Sequence, residues 1–390
     1  MIPSRRFDLA VAAFWATALT FWLLRLLYWN TSEEVPFSDM ADFIHVAEGI
    51  RSRGSFAFDS FWQTWRLPVV PLMMAVTSFP SGMFNLHFWQ ASQTAFVFLS
   101  LLWLARELRL ATGSTWPGIA LIACVAITRS SIFWSYKAAS ESMSEGFAYC
   151  LLASALAFAR SQSLPAAFAT GVIAVASSLT RANTAPMIPI LGLFVVGYTW
   201  RHGGLSRRML WIALAYALGV ALTWGPWLVR SYRLYGHPVA FTTQRPYAFL
   251  WELGTVKVTL ADGTPVLHHV NDMQAEAAQR FKTDYDASKY GDEVVRGWLR
   301  ENWRSYLRMI RPRLLRQISD RTEYLTKLPR DNLFGIHPEP LLDKGRTAVL
   351  VGWAGLVLFV LAYGAWAAPL AILPLVVVPF GALLLSYPRM

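Results

Sequence analysis

The sequence predicts an all-α polytopic membrane protein with about nine transmembrane helices, outer-face juxtamembrane helices and a mixed α/β outer loop segment. Three observations predict it. Of 390 residues, 55% are hydrophobic and 15% charged, whereas an average soluble protein carries roughly 25% charged residues. Long stretches free of Asp, Glu, Lys and Arg recur along the chain, and a spanning helix needs about 20 largely apolar residues. Lys and Arg gather in alternate short gaps between those stretches, as the positive-inside rule expects. Two cysteines exclude a disulfide framework or a Cys-based zinc cluster. Cys124 and Cys150 fall in predicted spans and read as packing residues. The net charge of +11 does not point to nucleic acid, because the basic groups interleave with membrane anchors.

The charge-free stretches are 9–24, 86–105, 110–128, 146–159, 161–180, 182–200 and 209–229, and 347–388 is long enough for two more helices turning near Gly364 and Pro369. Arg5 and Arg6 place the N-terminus in the cytoplasm. Arg106, Arg109, Arg160, Arg201, His202, Arg207 and Arg208 then fall on the same side. The N-terminal segment lacks a small-residue cleavage site and reads as a retained helix. Three regions follow: a transmembrane module, 1–229, whose first outer loop covers 30–85; an outer interfacial segment, 230–346; and a C-terminal transmembrane hairpin, 347–390. The outer segment is basic, against the simple rule, but long segments translocate largely regardless of charge. The apolar run 68–79 is too short to cross and reads as a helix on the outer surface; a short span there would spoil the charge pattern downstream. No internal repeat is apparent.

In the first outer loop, residues 36–54 read as a short helix capped by Ser38 or Asp39 and ended by Gly54. Phe43, Val46, Ala47 and Ile50 form its apolar side. Asp39 and Asp42 are three apart and share a face at the helix start. Acids there also suit the positive end of the helix dipole, and the two readings are compatible. Phe56, Phe58, Phe61, Trp62 and Trp65 follow; they suit either the bilayer interface or stacking on a sugar. Further on, Asp262-Gly263 reads as a hairpin turn between 256–261 and 265–270. His268, His269 and Asp272 read as loop residues, since adjacent histidines cannot both face one ion on regular structure. Arg296, Arg300, Arg304 and Arg308 form a four-residue stripe among Trp298, Leu299, Tyr306 and Leu307. That is an amphipathic helix lying on the membrane.

The chain resembles the polytopic GT-C glycosyltransferases, closest to bacterial relatives of the protein O-mannosyltransferases and the lipid A aminoarabinose transferase. The resemblance runs through Asp39, Phe43, Ala47-x-x-Ile50 and Arg66-x-Pro-x-x-Pro71. It continues through Ser140-Glu141-Ser142 opening a helix, Leu179-Thr180-Arg181 with Pro186, Pro226-Trp227-x-x-Arg230-Ser231-Tyr232, Gly236-His-Pro-Val239, and the Trp298 to Leu307 run. There are departures. Met40 stands where a Glu often follows the Asp, Ser231 where Asn is usual, and Gln244-Arg245-Pro246 where a Gly-rich stretch is usual. Relatives carry further apolar sequence beyond the point matched by 387–390.

The resemblance implies transfer of a sugar from a polyprenyl-phosphate donor to a glycan, lipid or protein acceptor, with inversion. The active site would lie on the outer face of a bacterial inner or plasma membrane. It implies Asp39 as general base, with Asp42 as its substitute or neighbour. A loop-borne carboxylate can take the acceptor's proton, and a phosphate leaving group needs cations more than an acid. Glu141 and His45 are candidates for supporting the acceptor or a metal. Arg66, Lys137, Arg181, Arg230 and Arg233 are candidates for the donor phosphate, although each also suits snorkelling to lipid phosphate. Arg25 fits snorkelling best. No cofactor is required by the pattern, and a divalent metal ion is the one it leaves open. Two other readings stand beside the enzyme: a transporter or flippase, which needs ionisable groups along a membrane path, and a membrane scaffold for envelope glycolipid assembly.

Overall fold

The computed structural model describes residues 9–27, 39–78, 84–127, 129–135, 137–251, 253, 255–259 and 265–319. Arg5, Arg6, Ser38 and the C-terminal hairpin 347–390 lie outside the described residues. The described part is mostly helical. In order it comprises α1 (Leu9–Leu27), α2 (Asp39–Arg53), α3 (Val69–Thr77), α4 (Leu86–Thr112), α5 (Trp116–Ala126), α6 (Arg129–Ser135), α7 (Glu141–Ser161), α8 (Leu164–Ser178), a 3-10 turn (Ala182–Thr184), α9 (Met187–Gly203) and α10 (Arg207–Tyr235). Then come α11 (Arg245–Trp251), β1 (Thr255–Thr259), β2 (Pro265–His269), α12 (Val270–Arg280) and α13 (Asp284–Ser319).

Each charge-free stretch from 9 to 229 contains a helix, but their lengths differ from the expectation. Among the described residues, four segments are long and apolar enough to cross a membrane: Leu9–Leu26, Glu141–Ser161, Ala182–Gly203 and Arg207–Tyr235. The stretch 110–128 does not give one long helix. Its first residues end α4, Gly113 terminates that helix at φ +71°, and α5 restarts at Trp116 with Pro117 in its first turn. At 1.5 Å per residue, α5 is only about 16 Å long. Helix α8 is likewise short, because the Ser163 side chain accepts from Ala166 N and Pro165 follows, fixing its start three residues late. The run 68–79 forms the short helix α3, as expected.

Polar contacts sort the helix ends onto two sides. At one end, Glu107 of α4 is buried and accepts from Arg106 (2.7 Å) and from Arg160 of α7 (3.1 Å), while Arg208 of α10 donates to the Gln162 carbonyl (3.0 Å). At the other, Val69 N donates to the carbonyl of Leu179, just past α8 (3.3 Å), and Arg230 of α10 donates to the Gln63 carbonyl (2.8 Å).

The contact between α8 and α10 depends on two glycines. A Cβ at Gly171 would sit 2.4 Å from the Tyr216 carbonyl oxygen, and one at Gly219 2.3 Å from that of Phe168. Small residues let two backbones approach this closely. Gly171→Ala is therefore expected to cost about 1–3 kcal/mol, the usual cost of overpacking, read as a lower unfolding midpoint in detergent. An unchanged midpoint would show that the helices can separate freely.

Arg25 does not snorkel. It is 3% exposed, with its guanidinium 3.5 Å from the Phe21 ring centroid and Nη2 2.6 Å from Ser131 Oγ. Its end of α1 packs against α6, and Glu145 of α7, which accepts from Tyr149 (2.8 Å), supplies the opposing charge. Glu145 also lies one turn inside its helix, so the apolar helices carry an acid that the charge-free stretches exclude.

Residues 245–294 fold back over the loop that carries Trp65. Trp65 of that loop shares a core with Tyr247, Phe249, Leu250, Met273 and Val294. The strands β1 and β2 pair antiparallel, Thr255 opposite His269, around the expected turn, whose residues 260–264 lie outside the described ones. His268 and His269 are strand residues rather than loop residues, and the His269 ring caps α12 by accepting from Asn271 N. The arginine stripe is bent. Asn302 is non-helical (φ −123°, ψ 19°) and separates Arg296 and Arg300 from Arg304 and Arg308. All four are exposed.

Candidate active site

Helix α2 presents the site. Its apolar side packs Phe43, Val46 and Ala47 inward, and Gly54 ends it at φ +63°, the left-handed conformation that glycine adopts without steric cost. Asp39 and Asp42 open the helix together on one face. Arg66 reaches them from the loop ahead of α3. Its Nη2 bonds Asp39 Oδ1, and its Nε and Nη2 both bond Asp42 Oδ2, the former at 3.1 Å. Arg66 is 5% exposed and stacks over Phe43, 5.0 Å from the ring centroid. Its Nη1 donates to Gln244 (3.1 Å). Burial pulls its pKa below the ordinary arginine value, against the opposing pull of Asp42 and then Glu141.

The loop that carries Arg66 is clamped from three elements. Thr243 N donates to the Thr64 carbonyl (3.1 Å) and Thr242 Oγ1 to the same oxygen (3.0 Å). Arg230 of α10 donates to Gln63 O and to Thr64 Oγ1 (3.3 Å). Asp284, the first residue of α13, is buried and accepts from Thr64 N (2.8 Å) and Thr243 Oγ1 (2.9 Å). Arg230, a candidate for the donor phosphate, holds the Gln63 carbonyl and the Thr64 hydroxyl beside Arg66.

Burial raises the Asp284 carboxyl above its ordinary value, opposed chiefly by the Thr64 N–H. The stabilisation tied to its neutral form is complete below the ordinary value of 3.8 and is lost as pH rises through the raised folded value. Asp284→Asn removes the titration while keeping the shape. The unfolding midpoint of wild type relative to this variant is expected to fall as pH climbs from 3.8 through that window. Parallel pH curves for the two proteins would refute it.

Two cavities open on α2. One, of about 260 Å³, is lined by Asp39, Asp42, Phe58, Trp62, Trp65, Trp251 and Gln274. The other, of about 400 Å³, is bordered by Asp42, His45, Glu48 and Asp59 and shares Phe58 with the first. Nearby, Glu141 opens α7 and pairs with Arg181 (2.8 Å). Lys137 is buried just before α7, where its carbonyl accepts from Gln93 (3.0 Å). Arg233 is exposed at the end of α10.

No family model, curated protein or solved structure matches this chain. Its function therefore has to come from the chemistry of its own groups. Asp39, Asp42 and Arg66 meet at one point, and Glu141 and Arg181 form a second ion pair. His45 borders the second cavity, with its ring 5.4 Å from Phe58. Among the described residues, no group of three or more His, Cys, Asp or Glu gathers in a geometry that would hold a metal. The sequence gives no hint of Gln244, Asp284 or Gln274. Asp284 looks like any acid in a first helical turn, and its partner Thr64 lies 220 residues away.

Proposed function

We propose that this chain is a membrane glycosyltransferase. It moves a sugar from a polyprenyl-phosphate donor to an acceptor hydroxyl on the outer face, with inversion. The observation that carries the reading is the Asp39–Arg66–Asp42 cluster. Asp39 and Arg66 are buried and Asp42 half-buried, and both carboxylates line an aromatic-walled cavity. The resemblance to the GT-C enzymes, with about nine spans and a cytoplasmic N-terminus, supports it further.

The acceptor oxygen attacks the anomeric carbon, and the bond from that carbon to the phosphate oxygen breaks, its electron pair leaving with polyprenyl phosphate. Asp39 accepts the hydroxyl proton. A single displacement inverts the anomeric centre. Arg66 holds Asp42 through two nitrogens and Asp39 through one. An arriving phosphate competes for the guanidinium, a strong phosphate partner, and the released carboxylate lone pairs then meet the acceptor. Arg66 thus couples donor arrival to the availability of the base.

A transporter would need ionisable groups along a path through the membrane. Arg25 lies two residues from the end of α1 and Glu145 one turn into α7, so this pair sits at helix ends rather than midway.

Proteoliposomes carrying the protein, supplied with polyprenyl-phosphate donors bearing radiolabelled mannose, glucose or arabinose and a membrane extract as acceptor, test the proposal. Label should move from at least one donor into acceptor. Label that stays on every donor refutes it.

A further inference from the structure

The cavity beside Asp39 and Asp42 has walls of two kinds. Trp62, Trp65 and Trp251 present indole rings, with Trp62 and Trp65 4.4 Å apart between centroids and Trp65 and Trp251 6.1 Å apart at 86°. Phe58 adds a fourth aromatic ring, and the remaining wall is polar: the two carboxylates and Gln274 of α12. Gln274 Nε2 is buried and has no hydrogen-bond partner. A buried donor left unpaired is costly, so a side chain kept in this state points to a ligand acceptor that completes it.

We propose that this cavity binds the ring of the transferred sugar, and that Gln274 selects which sugar is accepted by donating to a ring hydroxyl. The proposal rests on the glycosyltransferase reading. A monosaccharide carries an apolar C–H face and a hydroxyl-bearing edge, which match the indoles and the polar wall respectively. Ligand cavities typically combine apolar walls with a few placed polar groups. A prenyl chain fits poorly, because hydrocarbon would strip water from two carboxylates and an amide without replacing their hydrogen bonds. The volume of about 260 Å³ also suits one ring rather than a long lipid. Trp251 and Gln274 come from the outer segment, whereas the carboxylates and Arg66 come from the first loop. Sugar choice and bond chemistry are thereby assigned to different parts of the chain, and Gln274 is a specificity residue that leaves the reacting groups untouched.

The test uses the full chain in detergent and soluble short-chain probes: citronellyl phosphate alone, and citronellyl phosphate bearing mannose, glucose or arabinose. Tryptophan fluorescence titration gives each Kd, and transfer is measured in parallel. Wild type should bind at least one sugar-bearing probe about tenfold more tightly than the bare phosphate, the scale of one well-placed polar contact. Gln274→Ala and the similarly sized Gln274→Met should shrink that ratio severalfold and change the ranking of the three sugars, with binding of the bare phosphate unchanged. An unchanged ratio and ranking in both variants, with transfer intact, overturns the inference and leaves the transferase reading standing. Equal binding of bare and sugar-bearing probes by wild type also overturns the inference. Failure of wild type to bind or transfer from any probe overturns both.

Discussion

Arg66→Met lowers stability by about 3 kcal/mol, read as a lower unfolding midpoint in detergent. Removing one partner of a buried ion pair typically costs about 3–5 kcal/mol, because the other charge is left buried and uncompensated. Here one guanidinium answers two carboxylates, so its loss removes a charge partner from both. The lower end applies because the Asp42 side chain is 21% exposed and water reaches it. The same change frees Gln244, which otherwise accepts from Arg66 Nη1. Adding Asp42→Asn to Arg66→Met should recover part of the loss, since one stranded charge is removed. The coupling in the double-mutant cycle should exceed the few tenths of a kcal/mol found for independent sites. Simple additivity would mean that the two residues do not share an ion pair in solution.

Asp39→Asn lowers transfer by about 10²–10⁴-fold, the usual contribution of a positioned general base. The amide keeps the size of the carboxylate and can still accept from Arg66 through its oxygen, so the unfolding midpoint should move far less than in Arg66→Met. The loss should appear in kcat with KM for the donor nearly unchanged, since a base acts on the acceptor's proton in the transition state. Asp42→Asn should have the smaller effect on rate. If Asp42→Asn proves the more damaging of the two, the roles of these carboxylates are exchanged.

Much of this arrangement was legible in local sequence patterns. The helix of 36–54, its terminal glycine, the shared face of Asp39 and Asp42, and the strands around Asp262-Gly263 are all set by short-range rules of capping, periodicity and turn chemistry. The sequence pattern points to Arg66 as a phosphate ligand, and only the fold shows that it also ties the two carboxylates together. What escaped was set by long-range packing. A helix-end arginine such as Arg25 usually snorkels, and only the approach of α6 and α7 buries it. The stretch 110–128 hid a helix break because Gly113, Ser114 and Thr115 carry no charge to interrupt an apolar count. Asp284 and Gln274 act on residues more than 200 positions away, a relation that no spacing rule reaches. The kink at Asn302 likewise left no mark on the four-residue spacing of the arginines.

The central claim is a single displacement at the anomeric carbon, driven by an outer-face carboxylate. It is tested most directly by following one donor through turnover in proteoliposomes. Released polyprenyl phosphate and glycosylated acceptor would be quantified together, and the anomeric configuration of the product assigned by NMR. The account predicts one polyprenyl phosphate released per sugar transferred, with the configuration inverted. A product that retains the donor's configuration, or lipid phosphate released without any glycosylated acceptor, would contradict it.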